Sequence, residues 1–362
     1  MKILYAIQGT GNGHLSRAMD IIPILKKWGE VDILVSGIQA DLELPFTVKY
    51  KLKGLSFIFG KKGGIALLDT YRKSNLKRFY KEIKSLPVAD YDLVINDFEP
   101  VSAWACKMIN KPCIGLSHQI AVMDKKSPKP NKKDPLGKAI LHNYVPLTEA
   151  YGFHFKAYGK NIFTPVIRSQ IRNAIPQTLP HYTVYLPAWS DERIIKVLSA
   201  LENIQWQVFS KHAKEYYREG NIEISPVNNN AFVESFLNCT GILCGAGFET
   251  PAEAMFLKKK LMVIPMSGQY EQQCNAAALQ EMGIPILKKL KLKHLQKIKA
   301  WTECTTVLSV HYPDITASII NDIIELHTTR THLLQAPLDK FLFSAKKLQQ
   351  ASLGKILKAA GR

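Results

Sequence analysis

Short apolar, β-branched runs alternate with amphipathic stretches along most of the chain. In the first half, residues 2–7 (KILYAI), 31–36 (VDILVS), 92–97 (DLVIND) and 112–117 (PCIGLS) have the length and composition of buried strands. Helical periodicity follows at about 15–28, 72–85 and 100–109. The pattern then restarts with strands at 182–187, 206–210, 222–224, 241–245 and 261–265, and with helices at 191–202, 250–257 and 270–282. Helices at about 292–303 and 313–327 complete it. This alternation predicts the α/β class with mainly parallel sheets. Because it runs through the chain twice, it predicts two doubly wound, Rossmann-like domains, 1–163 and 164–337, with a junction near 163–180. A length of 362 residues agrees, since one core stops growing at roughly 250–300.

Three segments depart from the alternation. Residues 54–69 are Gly-rich and apolar, which suits a mobile loop, and 123–139 carry three Pro and six Lys, which suits a flexible, solvated connection. The basic tail 338–362 places Leu338, Phe341, Leu342, Ala345 and Leu348 on one helical face, as a helix packing back on the N-terminal domain would.

Composition narrows the function classes. Hydrophobic residues at 46% and charged residues at 22% are ordinary for a globular protein, and no apolar run approaches the roughly 18–20 residues of a membrane span. The first apolar run is too short for a signal peptide, and the six cysteines show neither a C-x-x-C pair nor metal-ligand spacing. A reduced cytoplasmic setting is expected. The net charge of +18 is uneven: residues 1–163 hold 25 basic against 14 acidic side chains, residues 164–337 hold 17 against 15, and the tail 6 against 1. An anionic partner is therefore expected at the first half and the tail. Nucleic acid is disfavoured, since no aromatic-interleaved basic helix is present.

Candidate chemistry gathers where strands run into helices. Gly9-Thr10-Gly11-Asn12-Gly13-His14 lets the chain turn tightly and brings backbone amides and an imidazole to a helix start. It is neither the dinucleotide fingerprint, which needs glycine at 14, nor a P-loop, which needs a following Gly-Lys-Ser/Thr. A histidine titrates close to neutral pH and suits a general base. Asp97, ending the strand 92–97, is its candidate partner, and His118 is a further candidate. In the second half, Gly245-Ala246-Gly247-Phe248-Glu249-Thr250 leads from a strand into a helix that opens with Pro251, a terminus suited to a diphosphate. Glu253, one turn on, can accept from vicinal hydroxyls. Gln272 and Gln273, at the next strand-to-helix turn, can bind sugar hydroxyls without adding charge. Asp90-Tyr91-Asp92 is a D-x-D, but it precedes its strand, at the end away from a ligand crevice, and is read as structural.

Taken together, GTGNGH, then GAGFETPAEA, VIP and EQQCNAAALQEMG, resemble GT-B glycosyltransferases, in particular the branch that includes MurG, the N-acetylglucosaminyltransferase of peptidoglycan synthesis. The resemblance implies two Rossmann-like domains facing a central cleft, and transfer of a hexosyl group from a nucleotide sugar, with a uridine-linked donor expected. It implies inversion in one displacement, with no metal and no cofactor beyond the co-substrate. Gly245, Ala246, Gly247, Phe248, Glu249 and Thr250 would surround the diphosphate, Glu253 would hold the ribose, and Gln272 and Gln273 the donor sugar. Phe232 would lie near the base, Lys211 would assist the leaving group, and His14 with Asp97 would activate the acceptor hydroxyl. Two positions depart from the pattern. Gly245 stands where many relatives carry His or Arg, and Glu249 where they carry a small or amide residue. The departures keep open a degenerate domain that binds nucleotide or anionic lipid without catalysis, and a sugar-nucleotide epimerase is a further alternative. The basic first half, with Lys49, Lys51, Lys53, Lys61, Lys62 and the lysines at 125–133, suits a lipid or lipid-linked acceptor and a peripheral position on the inner face of an anionic membrane.

Overall fold

The computed structural model describes residues 1–37, 44–55, 59–60, 64–65, 76–131 and 134–335. Residues Met1–Asp314 form one compact unit and Ile315–Arg362 a second, whose described part is the helix Thr316–Gln335. The predicted tail helix at 338–362, and Lys61, Lys62, Lys132 and Lys133, lie outside the described residues.

The first unit contains two main sheets. The first sheet is built from β1 (Lys2–Gln8), β2 (Glu30–Ser36), β3 (Tyr50–Leu52), β6 (Leu93–Asp97), β7 (Ile114–Ser117), β8 (Glu149–Phe153) and β9 (Ile162–Phe163), in the order β3-β2-β1-β6-β7-β8-β9. All its neighbours run parallel. The order reverses between β1 and β6, and a doubly wound sheet opens its crevice at the carboxyl ends of the strands at such a point. The second sheet holds β10 (His181–Tyr185), β11 (Gln205–Ser210), β12 (Tyr217–Glu219), β13 (Ile222–Pro226), β14 (Gly241–Gly245) and β15 (Lys260–Ile264), in the order β12-β13-β11-β10-β14-β15. Its reversal lies between β10 and β14; only the edge strand β12 runs antiparallel. The predicted class, α/β with two Rossmann-like halves, is the one observed.

The central strands are apolar throughout because helices cover both faces of a parallel sheet. In β1, Ile3 to Ile7 are all 0% exposed. Leu4, Val94, Val101 and Cys106 belong to the core of the first half, and Val184, Trp206, Leu243 and Ile264 to that of the second.

Most predicted strand and helix positions recur within a few residues, the last helix running on to Gln335 rather than ending near 327, but several elements were not foreseen. β3, β8, β9 and β12 are short or half-exposed strands at or near sheet edges, where the alternation is weak. Within 54–69, read as a loop, Phe59–Gly60 (β4) and Gly64–Ile65 (β5) pair antiparallel. The connection 123–139, read as flexible, instead leads into a helix, Pro135–Asn143. Asp134 caps it by accepting from Gly137 N–H at 2.8 Å, and Pro135 preset its first turn. The D-x-D stands at the amino-terminal end of β6, opposite Asp97, where Asp92 accepts the Lys2 N–H at 2.7 Å.

Just after β8, His154 is 0% exposed and its Nδ1 accepts from Phe155 N–H at 2.8 Å. Burial, with a smaller push from His118, lowers its pKa to about 2. The unfolded chain protonates this ring below about pH 6.5, whereas the folded chain does not. Stability should therefore fall as the pH drops below that point, by about 1.4 kcal/mol per pH unit from this group. Urea melts at pH 7.5 and 5.5 should show the loss, and His154→Phe should reduce it; an unchanged difference in the variant would remove His154 as its source.

Candidate active site

The turn after β1 sets up the first wall. Gly11 adopts φ +94°, a left-handed backbone that favours glycine, and leads into α1 (Asn12–Leu25). Gly13 is bare where the Glu249 carboxylate lies against it, in space that a methyl group would fill. His14 follows in the first turn of α1. Since β1 pairs with β6 in a register that sets Ile7 beside Asp97, the end of β6 reaches the start of α1. His14 Nδ1 and Asp97 Oδ1 are 2.8 Å apart. Asp97 is 0% exposed, so it stands behind His14 rather than on the cleft surface.

One turn beyond His14, Arg17 sends its side chain to the same carboxylate. Its Nη2 donates to Oδ1 and Oδ2 of Asp97 at 2.7 and 2.8 Å, and its Nε to Oδ2 at 3.2 Å. Its Nη1 donates to Glu249 on the opposite wall. Burial pushes the Asp97 carboxyl up, but the Arg17 guanidinium and then His14 outweigh it and hold the group below the ordinary aspartate value. Burial likewise works against the charge on Arg17, and Asp97 and Glu249 more than offset it.

The other ring nitrogen of His14 points at Gln119 Nε2, 3.2 Å away. Gln119 Nε2 also donates to Glu271 Oε2 at 3.1 Å, which fixes the amide with its nitrogen toward the imidazole. His14 Nε2 is then an acceptor, and the ring proton sits on Nδ1, facing Asp97. That is the tautomer a general base requires.

The second wall comes from β14 and the helix Glu249–Phe256. No side chain caps this helix, and the amides of Glu249 and Thr250 have no intrahelical acceptor by position. Among the residues assigned to the donor, Gly247, Phe248, Glu249, Thr250 and Gln272 line a cleft of about 300 Å³ together with His14. Gly245, Ala246, Glu253 and Gln273 do not line it. Ala246 is 0% exposed and its carbonyl accepts from Asn275 Nδ2 at 3.1 Å. Gln272 Oε1 accepts from Met266 N–H at 2.9 Å, which leaves its amide nitrogen for a ligand. Phe232 is on the cleft wall, in the first turn of the helix Asn229–Asn238, and packs 5.5 Å from Tyr185. Lys211 is exposed and outside this lining.

Glu253 has a different setting from the one its spacing implied. It is 1% exposed, and both its oxygens accept from Arg168, whose Nε and Nη2 lie at 2.6 and 2.7 Å. Arg168, not Glu253, is the member of this pair that lines the cleft. His118 is also internal. Its ring stacks on Phe248 at 3.8 Å and 4°, and its nitrogens lie 2.8 Å from Phe153 O and Asn275 Oδ1. Burial lowers its pKa, and through Phe248 and Asn275 the ring joins the two walls while also bordering the cleft.

A smaller cavity of about 110 Å³ adjoins His14, lined by Phe98, Ile140, Leu141 and Tyr270 among others. Phe98, directly after Asp97, holds φ +57°, a strained backbone for a bulky residue, and packs 5.0 Å from Tyr144.

Sequence reasoning passed over Arg17, Arg168, Gln119 and Glu271. Only Arg17 offered a signal, because its i,i+3 spacing from His14 puts both on one helical face. Among the described residues no group of three or more His, Cys, Asp or Glu could hold a metal ion, and no helix is long and apolar enough to cross a membrane.

Residues 1–302 match the model of glycosyl transferase family 1. No curated protein sequence matches the chain. Among solved structures, the chain is similar to MurG of Acinetobacter baumannii, at 13% identity and a TM-score of 0.54, over 90% of this chain and 99% of that one. It is similar to the glycosyltransferase SnogD of Streptomyces nogalater, at 11% identity and 0.52, over 90% and 99%. UGT2 of Phytolacca americana, solved with UDP-2-fluoro-glucose and pterostilbene, matches at 11% identity and 0.54, over 82% and 88%. At these identities the likeness is one of fold, and the fold is GT-B. The family match runs through both sheets and both walls of the cleft, and the chain therefore belongs to glycosyl transferase family 1, as a glycosyltransferase of GT-B fold.

Proposed function

We propose that this glycosyltransferase moves a hexosyl group from a nucleoside-diphosphate sugar, uridine-linked, to an acceptor hydroxyl, with inversion and without a metal ion. The observation that carries the reading is the facing of His14, backed by Asp97, and the uncapped start of the 249–256 helix across one cleft. The acceptor hydroxyl, taking the place of Gln119 at His14 Nε2, gives its proton to the imidazole as its oxygen attacks the anomeric carbon. The bond from that carbon to the diphosphate breaks, and the electron pair leaves with the nucleoside diphosphate. A single attack inverts the centre. The amides of Glu249 and Thr250 and the guanidinium of Arg168 meet the charge that develops on the leaving group. Arg168 supports the cationic role for which Gly245 offers no side chain, and Glu253 holds Arg168 in place. Pairing with Arg17 takes the Glu249 charge away from the phosphates.

For the acceptor, we propose a lipid or lipid-linked molecule. Support comes from the cavity beside His14, where Phe98, Ile140 and Leu141 offer apolar surface, and from the helix Leu76–Ser85, which exposes Leu76 and Tyr80 at 55% and 53% among its lysines. Such a surface suits work at the cytoplasmic, anionic face of a membrane.

A thermal-shift panel with UDP, GDP, TDP and ADP tests the donor. One diphosphate at about 100 times its Kd should add about 2.7 kcal/mol, a rise of a few degrees, and UDP is the one expected. No shift with any of them would overturn the nucleotide-sugar reading; a shift with another base alone would correct the donor.

A further inference from the structure

We propose that Arg17 is a positioning residue for His14. It fixes the Asp97 carboxylate against the imidazole, places a positive charge beside that ring, and ties both to the opposite wall of the cleft through Glu249. The inference rests on the role of His14 as base proposed above.

The whole guanidinium fork is engaged, with Nε and Nη2 on Asp97 and Nη1 on Glu249. The Arg17 side chain is 2% exposed and Asp97 0%, so this is an internal assembly rather than a surface ion pair, whose effect would be small. Asp97 cannot be solvated. With His14 as its only cationic partner, its charge would favour the imidazolium over the neutral ring, and an imidazolium cannot take the acceptor's proton. Arg17 satisfies the carboxylate in advance. Its Nη2 also lies 3.2 Å from His14 Nδ1, where it opposes a second positive charge on the ring. Other titratable groups around the imidazole do not replace it. Glu271 acts through Gln119, and Glu249 is paired with Arg17. Burial raises the pKa of Tyr5, which lies near Asp97, and lowers that of His118.

Glu249 gives the arrangement a second consequence. It is the first residue of the 249–256 helix, so the fork that orders Asp97 also spans the cleft. The geometry of the base is thereby set with the two walls in contact, where donor and acceptor must meet.

The test compares the parent with Arg17→Met, Arg17→Lys and Glu249→Gln in the full chain. Transfer from the donor found by the panel is followed as a function of pH, together with UDP affinity. Arg17→Met should lower kcat by about 10²-fold, as misplacement of a catalytic group does, with UDP affinity retained. The acid limb of its rate profile should move up by about one pH unit. Arg17→Lys keeps the charge but not the fork, so its acid limb should stay while kcat falls. Glu249→Gln, at a partly exposed position, should fold and lower kcat with the acid limb in place. An unmoved acid limb in Arg17→Met, or a rate loss matched by lost UDP affinity, would overturn the proposal. If Arg17→Met does not fold, parent-like kcat in both Arg17→Lys and Glu249→Gln would overturn it.

A readout without turnover separates this inference from the reading beneath it. In ¹⁵N-histidine-labelled protein at pH 7.5, the His14 signals, assigned with His14→Gln, should show a neutral ring protonated on Nδ1. In Arg17→Met the share of rings protonated on both nitrogens at that pH should rise above that of the parent. An unchanged spectrum sinks the role of Arg17 whatever the activity, and a changed spectrum with no transfer from any donor sinks the glycosyl-transfer mechanism instead.

Discussion

Replacing His14 with alanine should remove sugar transfer, by about 10²–10⁴-fold, while leaving the fold and nucleotide binding in place. The separation follows from how the surrounding charges are distributed. Asp97 is wholly buried, and loss of a single partner would ordinarily leave an uncompensated charge. Here the Arg17 fork still holds both carboxylate oxygens when the imidazole is gone. The groups proposed to meet the diphosphate, the helix start at Glu249 and Thr250 and the Arg168 guanidinium, are not held by His14. Asp97→Ala should behave differently, since it strands Arg17 with only Glu249, and should lower stability as well as rate. Transfer assays, UDP titration and thermal melts on both variants make the comparison. Transfer retained in His14→Ala would remove the imidazole from the chemistry, and a melting loss equal to that of Asp97→Ala would make its role structural.

The largest effect on stability is expected from Glu253→Ala. Its side chain and that of Arg168 are 2% and 9% exposed and joined by two short hydrogen bonds. Cutting one member from a buried pair costs about 3–5 kcal/mol, because the remaining charge has neither water nor partner. Nucleotide affinity should fall too, since Arg168 then lacks the group that aims it along the cleft. Replacing both residues with leucine should recover much of the stability, as apolar replacements of buried pairs often do, without restoring UDP binding. Urea denaturation and calorimetric titration of the single and double variants decide it. A double variant as unstable as Glu253→Ala would show that the loss lies in packing rather than in charge, and full UDP binding by it would remove the pair from the donor site.

Much of the scaffold is legible along the chain because its determinants are local. The run 241–245 was placed to the residue, since an apolar stretch that meets Gly245-Ala246-Gly247 has to stop being a strand. GTGNGH announced a tight strand-to-helix turn for the same reason, and Gly11 indeed takes a backbone that other residues avoid. Elements with weak periodicity escaped: the edge strand β9 has two residues, and the helix Pro135–Asn143 has no buried side chain to mark a face.

The candidate site divides along the same line. His14, Asp97 and the glycine-rich start of the 249–256 helix are visible in the sequence, because strand ends in doubly wound sheets carry their chemistry wherever the chain goes next. What each group can do was decided in three dimensions. Arg17 meets residues 80 and 232 positions away, and Arg168 one 85 positions away. Glu249 reads in sequence as an acid misplaced beside a diphosphate, and Glu253 as an open ribose ligand. The fold gives the first a cation and buries the second behind another. Periodicity and turn chemistry act over a few residues, so the sequence by itself determined the two halves and where their loops emerge. Charge compensation requires groups a few ångströms apart, and only the adjacency of β1 to β6 and the meeting of the two walls determined which charges those are.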